Sequence, residues 1–341
     1  MCQMKNRASF HLGVPAMRKL DPQVEALLEQ FKANTPRHPS SPRGASVTPE
    51  LLMMYGALGM PFEPVWLTND FDLPGAAGNI PVRLYVSKTT APLRESVPVF
   101  VYYHGGAFVS GDLDGHDTLL RAIANRAGCL VLSVGYRLAP EHPYPAANDD
   151  ALTALNWVVN HASEIGADPT RLAVGGDGAG GLLAAWVAQR AAECGIHLRL
   201  QVLLCPVLDT TASSDSWKEL GTGEYVVSHS RTLELYDAYL PKEICRTDPK
   251  VSPLFATDLA GVAPALIVTA DHDPLRDEGD AYADKLKAAN VQVDHTCWPG
   301  MIHGLATLAG VIDAGRVLID QVAAALRQAL AMPDQAPSQT L

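Results

Sequence analysis

No apolar run in this sequence approaches the ~18–20 residues needed to cross a bilayer, so no membrane span is expected. The opening stretch "MCQMKNRASFHLGVPAMRKLD" also lacks the apolar core of a signal peptide, and a cytoplasmic protein is the expectation. Runs of lysine or arginine are absent as well. With a net charge of −11, the chain would repel a phosphate backbone, which argues against nucleic-acid binding. The six cysteines show no CxxC pair and no regular spacing. Several sit in apolar runs such as "GCLVLSV" and "VLLCPV", as free buried thiols rather than a disulfide framework. Charge is sparse at 18%, while 48% of the residues are hydrophobic. A chain of 341 residues with that mix can bury a large core and is not a disordered one.

The remaining absence is local. "RLAVGGDGAGGLLAAWVAQRAA" reads as a strand, a tight glycine turn and a helix. A hydrolase nucleophile elbow has that setting and places serine at the centre of Gly-x-Ser-x-Gly. Here the five residues are Gly176, Asp177, Gly178, Ala179 and Gly180, so the centre is a glycine. A phosphate loop is the competing reading of so many glycines. No GxxxxGK[ST] is present, and no acidic residue stands ~20 positions on in "IHLRLQV", as a dinucleotide fold requires.

Elsewhere the pattern is strand then helix, repeated. "SVPVFVYYH", "CLVLSVGY", "RLAVGG", "RLQVLLCPVL", "ALIVTA" and "VQVDHTCW" have strand character. Between them lie "LLRAIANRAG", "ALTALNWVVNHASEIG", "GLLAAWVAQRAAECG" and "RDEGDAYADKLKAAN", and "AGRVLIDQVAAALRQALA" closes the chain as a helix. Continuous apolar strands suit a parallel sheet buried on both faces, and the alternation predicts a doubly wound α/β fold. "DPQVEALLEQFKAN" predicts a helix with Asp21 as N-cap and Pro22 at its first position. "TPELLMMYGALGM" predicts a second, capped by Thr48. From Asp209 to Phe255 the alternation stops and turns and helices are expected. Residues 1–50 with 210–255 are therefore expected to form a helical cap, 51–209 with 256–330 the α/β domain, and 331–341 a frayed tail.

Ligand sites in open α/β sheets gather at the carboxyl ends of strands, and four segments fall there. "YYHGGAFVSGD" puts Gly105, Gly106 and Ala107 behind His104, an arrangement that can aim N–H groups at one point. The elbow adds the N–H of Ala179 at a helix N-terminus. "DHDPLRDEG" offers Asp271, Asp273 and Asp277, and "CWPGMIHGLA" offers His303 on a glycine-flanked loop. The order of elbow, acid and histidine is that of α/β-hydrolases. The group Asp112, Asp114, His116 and Asp117 lacks metal-ligand spacing and reads as a loop and helix start.

The stretches "HGGAFVSGD", "YRLAPEHPYPAA", "GGDGAGG", "DPLRDEG" and "GMIHG" carry a resemblance to the bacterial hormone-sensitive-lipase family of carboxylesterases. The resemblance implies an α/β-hydrolase fold with a helical cap and a Ser-Asp-His triad. It maps the nucleophile position to Gly178 and the partners to Asp273 and His303. It implies an oxyanion hole of the Gly105, Gly106 and Ala179 N–H groups, no metal or cofactor, a small-molecule ester as partner, and a possible homodimer. Two departures show: Ala107 replaces the third glycine of the loop, and Gly178 replaces the serine. Glycine cannot form an acyl-enzyme, so the expectation is an esterase for short, medium or aromatic esters, present as a serine-to-glycine inactivated form. A non-catalytic binding protein, a water-based hydrolysis and an amidase or acyltransferase on the same fold are the alternatives. The acyl pocket is expected to be lined by Met53, Met54, Phe62, Tyr225, Leu235 and Tyr239.

Overall fold

The computed structural model describes residues 19–34, 58–90 and 96–331. The helix expected after Thr48, with Met53 and Met54, lies outside the described residues, as does the tail beyond residue 331. Among the described residues eight strands form one sheet in the order β1-β2-β4-β3-β5-β6-β7-β8. They are β1 (Leu67–Gly75), β2 (Gly78–Val86), β3 (Val97–Tyr103), β4 (Leu130–Val134), β5 (Ala167–Asp177), β6 (Leu198–Leu204), β7 (Ala265–His272) and β8 (Val293–Ile302). The helices are α1 (Pro22–Asn34), α2 (Asp117–Ala127), α3 (Ala146–His161), α4 (Ala179–Glu193), α5 (Asp215–Leu220), α6 (His229–Tyr239), α7 (Arg276–Ala288) and α8 (Asp313–Leu330). β2 pairs antiparallel with β1 and with β4, and every other pairing is parallel.

The apolar runs explain the layers. In β3 successive side chains point to opposite faces. Val99, Val101 and Tyr103 join one apolar cluster, and Phe100 and Tyr102 the other. The first cluster takes in Leu155 of α3, Leu182 of α4 and Tyr282 of α7. The second takes in Val24 of α1, Ile123 of α2 and Leu318 of α8. Each large apolar side chain so covered contributes about 1.5–3 kcal/mol. Asp21 caps α1 as its sequence predicts, accepting the Gln23 N–H at 2.8 Å.

β1 is not legible as a strand. "LTNDFDLPG" is rich in residues that sheets disfavour, and only Leu73 is buried. It persists as an edge, where proline and polar residues are tolerated, because β2 pairs with all of it down to Gly75 opposite Gly78. Between β6 and β7 the described chain holds α5, α6, a short 3₁₀ helix at Pro253–Phe255, turns and a single bridge, Thr222 to Ser228. α1 is tied to the end of β8, where the Asp21 N–H donates to the Gly300 carbonyl at 3.0 Å.

Candidate active site

β5 ends at Asp177 and α4 begins at Ala179, so one residue, Gly178, makes the turn between them. The helix lies hard against the end of β3. A Cβ on Gly180 would fall 1.9 Å from the Tyr103 carbonyl oxygen, a distance only glycine permits. Gly178 has φ 52° and ψ −115°, a region that side chains rarely adopt. Its N–H donates to the Leu204 carbonyl at 3.0 Å, and its carbonyl accepts the Val207 N–H at 2.9 Å. A Cβ built there would meet nothing closer than His303 Nε2 at 3.5 Å. The turn therefore presents position 178 to an imidazole.

His303 follows β8 and Asp273 follows β7, so adjacent strands bring them together. Nδ1 of His303 lies 2.8 Å from Oδ2 of Asp273, which is fully buried. The other oxygen, Oδ1, accepts the Leu275 N–H at 3.0 Å. With Nδ1–H donated to the carboxylate, Nε2 carries the lone pair facing Gly178. Burial works against the imidazolium, but the Asp273 carboxylate outweighs it, with Asp177 adding to the effect. The His303 pKa is raised above the ordinary histidine value.

One expected donor is not available. The Gly105 N–H donates to Asp177 Oδ1 at 2.9 Å, which corrects its assignment to an oxyanion hole. The loop then turns through Gly106 and Ala107, at φ 126° and 54°, and both line the cavity beside Ala179. The N–H groups of Gly106, Ala107 and Ala179 have no hydrogen-bond acceptor among the described residues. Sequence reading shifted the donor pair by one residue, because N–H direction depends on backbone dihedrals that a glycine pair leaves open.

Asp177 is a site residue that motif reading passed over. Its Oδ1 also accepts the Tyr102 hydroxyl at 2.7 Å and lies 3.0 Å from His116 Nε2. Burial disfavours the carboxylate, yet the His116 charge and these hydrogen bonds win, and the pKa falls to about 2. His116 shows the reciprocal effect: burial opposes its charge, Asp177 restores it, and its pKa is raised. Behind them His104 stacks on Tyr136 with ring centroids 4.3 Å apart. Burial, helped by the His116 charge, pushes His104 down to about 4. The Tyr136 hydroxyl donates to the His104 carbonyl at 2.6 Å, so the "YRLAPEHPYPAA" stretch props the glycine loop from below. Three titratable residues beside apolar strand ends, His104, His116 and Asp177, were the available signal.

Gly178 and His303 open into a cavity of about 200 Å³. Leu235 lies in its wall; the other described pocket candidates do not. Tyr239 is fully buried, stacked on Phe108 at 3.9 Å and bonded through its hydroxyl to Asn148 at 2.6 Å. Phe62 is 64% exposed beneath the Arg121 guanidinium, and Tyr225 packs on His272. Helical spacing finds an apolar stripe but not the face it turns to. The wall is built instead from Val207, Trp217, Val227, Tyr236 and Leu275, with Ser110, Asp112 and His116 as polar lining. Cys205, Asp273 and His303 bring three potential metal-ligand atoms within 4.8 Å of one another. Burial and the Asp273 charge hold the Cys205 thiol well above its ordinary value, which disfavours the thiolate a metal would need.

An eight-stranded, mostly parallel sheet with an acid and a histidine converging on a strand–helix elbow defines an α/β-hydrolase architecture. The sequence model of the alpha/beta hydrolase fold matches residues 100–307, and the chain belongs to that family. Among curated relatives it is 42% identical to the carboxylic ester hydrolase LipN of Mycobacterium tuberculosis, over 76% of this chain and 69% of LipN. It is 41% identical to an ethyl acetate hydrolase of Pseudomonas putida, over 77% of this chain and 83% of that protein. Among solved structures it is similar to a serine-to-alanine mutant of LAE6, an α/β hydrolase from the Lake Arreo metagenome. That similarity has a TM-score of 0.84 and 36% identity, covering 91% of this chain and 98% of the other. No helix among the described residues is long and apolar enough to cross a membrane.

Proposed function

We propose that this chain is a carboxylic ester hydrolase whose nucleophile position carries glycine, so that it binds esters but forms no acyl-enzyme. The observation that carries the reading is the elbow itself: a Cβ on Gly178 would fit without a clash and in ordinary contact with the His303 imidazole, its Nε2 3.5 Å away. Relatives that are carboxylic ester hydrolases support it. In the serine form the hydroxyl attacks the ester carbonyl while His303 takes its proton. Asp273 holds the imidazole tautomer and stabilises the imidazolium. The N–H groups of Gly106, Ala107 and Ala179 face the developing oxyanion. His303 then returns the proton to the leaving alcohol and activates water for deacylation. α5 and α6 act as the cap, and α1 braces it from the end of β8. The small cavity and the ethyl acetate hydrolase relative favour compact esters.

The test is hydrolysis of p-nitrophenyl butyrate by the chain and by Gly178→Ser. Loss of a triad member leaves only about 10³–10⁴-fold acceleration over water from binding and the oxyanion hole. Gly178→Ser is expected to raise the rate by several orders of magnitude, up to about 10⁶-fold. Equal, near-background rates in two folded proteins would replace this reading with a non-catalytic binding protein.

A further inference from the structure

We propose that Trp217 sets the length of the apolar branch of ester that the cavity accepts, by standing as the partition between that cavity and a second cleft. The proposal rests on the esterase reading for its biological meaning. The geometry beneath it is independent of that reading.

The lining of the cavity at Gly178 is of two kinds. One is polar, with Ser110, Asp112 and His116; the other is apolar, with Val207, Trp217, Val227 and Leu235. Trp217 also borders a second cleft of about 470 Å³, lined by Ala212, Lys218, Thr222, His229 and Leu233. Trp217 belongs to both walls.

Two contacts fix the indole in that place. Its Nε1–H donates to Glu278 Oε1 at 2.6 Å. The other carboxylate oxygen, Oε2, accepts the Leu208 and Asp209 N–H groups at 2.7 and 2.9 Å. These two residues begin the excursion that leaves β6, so Glu278 binds the partition to the root of the cap. The His229 ring, which lines the second cleft, stands 5.5 Å from the indole. Trp217 is 2% exposed. A branch too long for the cavity meets a side chain that cannot swing away without breaking a buried hydrogen bond. Removing the indole joins the cavity to the cleft.

The experiment measures kcat/KM for p-nitrophenyl acetate through decanoate, and for methyl through octyl acetate. The proteins are Gly178→Ser alone and with Trp217→Phe or Trp217→Ala. Each methylene that finds new apolar surface contributes about four-fold. The ratio of octanoate to butyrate ester, or of octyl to butyl acetate, is expected to rise at least ten-fold in Trp217→Ala. A smaller rise in the same direction is expected in Trp217→Phe. Whichever series responds identifies the branch held beside Trp217. Should Trp217→Ala fail to fold, Trp217→Phe decides. Unchanged ratios in both series, or a uniform fall for all esters, would overturn the proposal.

A second readout needs no catalysis. Calorimetric titration of the Gly178 chain with butanoate and octanoate, and with 1-butanol and 1-octanol, gives the chain-length preference of the cavity. Trp217→Phe is expected to shift it toward the longer member of one pair, and no shift in either overturns the partition. If Gly178→Ser is inert while this shift appears, the esterase reading fails and the partition stands.

Discussion

Replacing Asp177 tests whether the glycine loop is held from behind the elbow. The carboxylate accepts from Tyr102 and Gly105 and faces His116, all within 3.0 Å. Asp177→Ala leaves His116 without its counter-charge and two buried donors without an acceptor. Breaking a buried charge pair costs about 3–5 kcal/mol, and an unsatisfied buried donor about 1–3 kcal/mol. The terms share partners and are not additive. The expected loss is about 3–5 kcal/mol at pH 7, read from the urea midpoint of circular dichroism. The pH dependence supplies a second check. The folded pKa of about 2 lies below the ordinary value, so the stabilisation is present above about pH 4 and is lost as pH falls through about 2. This group contributes about 2 kcal/mol to that acid limb, and Asp177→Asn is expected to flatten it. A loss under about 1 kcal/mol for Asp177→Ala at pH 7, with an unaltered acid limb, would refute the reasoning.

Gly178→Ser forces a side chain onto a φ of 52°, so it is expected to lower stability by about 1–2 kcal/mol, seen as a drop of a few degrees in Tm. A more stable serine form would contradict the strained elbow. Gly180→Ala puts a methyl 1.9 Å from the Tyr103 oxygen; a loss of about 3 kcal/mol or more is expected in denaturant unfolding, and unchanged stability would contradict the close approach of α4 to β3. In the serine form only neutral His303 acts as base. Burial opposes its charge and Asp273 outweighs that burial, so the acid limb of kcat/KM is expected above pH 6.5. Asp273→Asn is expected to lower that midpoint and cut kcat about 10⁴-fold, and a pH profile with no shift would contradict the pairing.

The interior strands were legible because both faces of each are buried. β3 reads "VPVFVYY" with no polar residue, and periodicity needs nothing more. β1 was not, because an edge strand answers to its neighbour rather than to its own composition. Chain order left Asp271, Asp273 and Asp277 as candidate acids and the family resemblance pointed to Asp273, whose carboxylate lies 2.8 Å from His303. The glycine loop was found, but its donor direction was not. Gly105 and Gly106 are indistinguishable in sequence, and only the Asp177 carboxylate tells them apart. The pocket lining fared worst. Tyr239 and Leu235 lie on the same helix, yet one faces Phe108 in the core and the other the cavity. That choice is made by the packing of α6 against Phe108, Tyr144 and Asn148, which no local pattern encodes.

The most direct measurement is the intact mass of Gly178→Ser after exposure to diethyl p-nitrophenyl phosphate. One diethylphosphoryl group is expected, mapped by peptide digestion to position 178, absent from the glycine chain and absent when His303→Ala is added. A folded serine form that takes no adduct, or takes it on another residue such as Cys205, would contradict the nucleophile position assigned to Gly178.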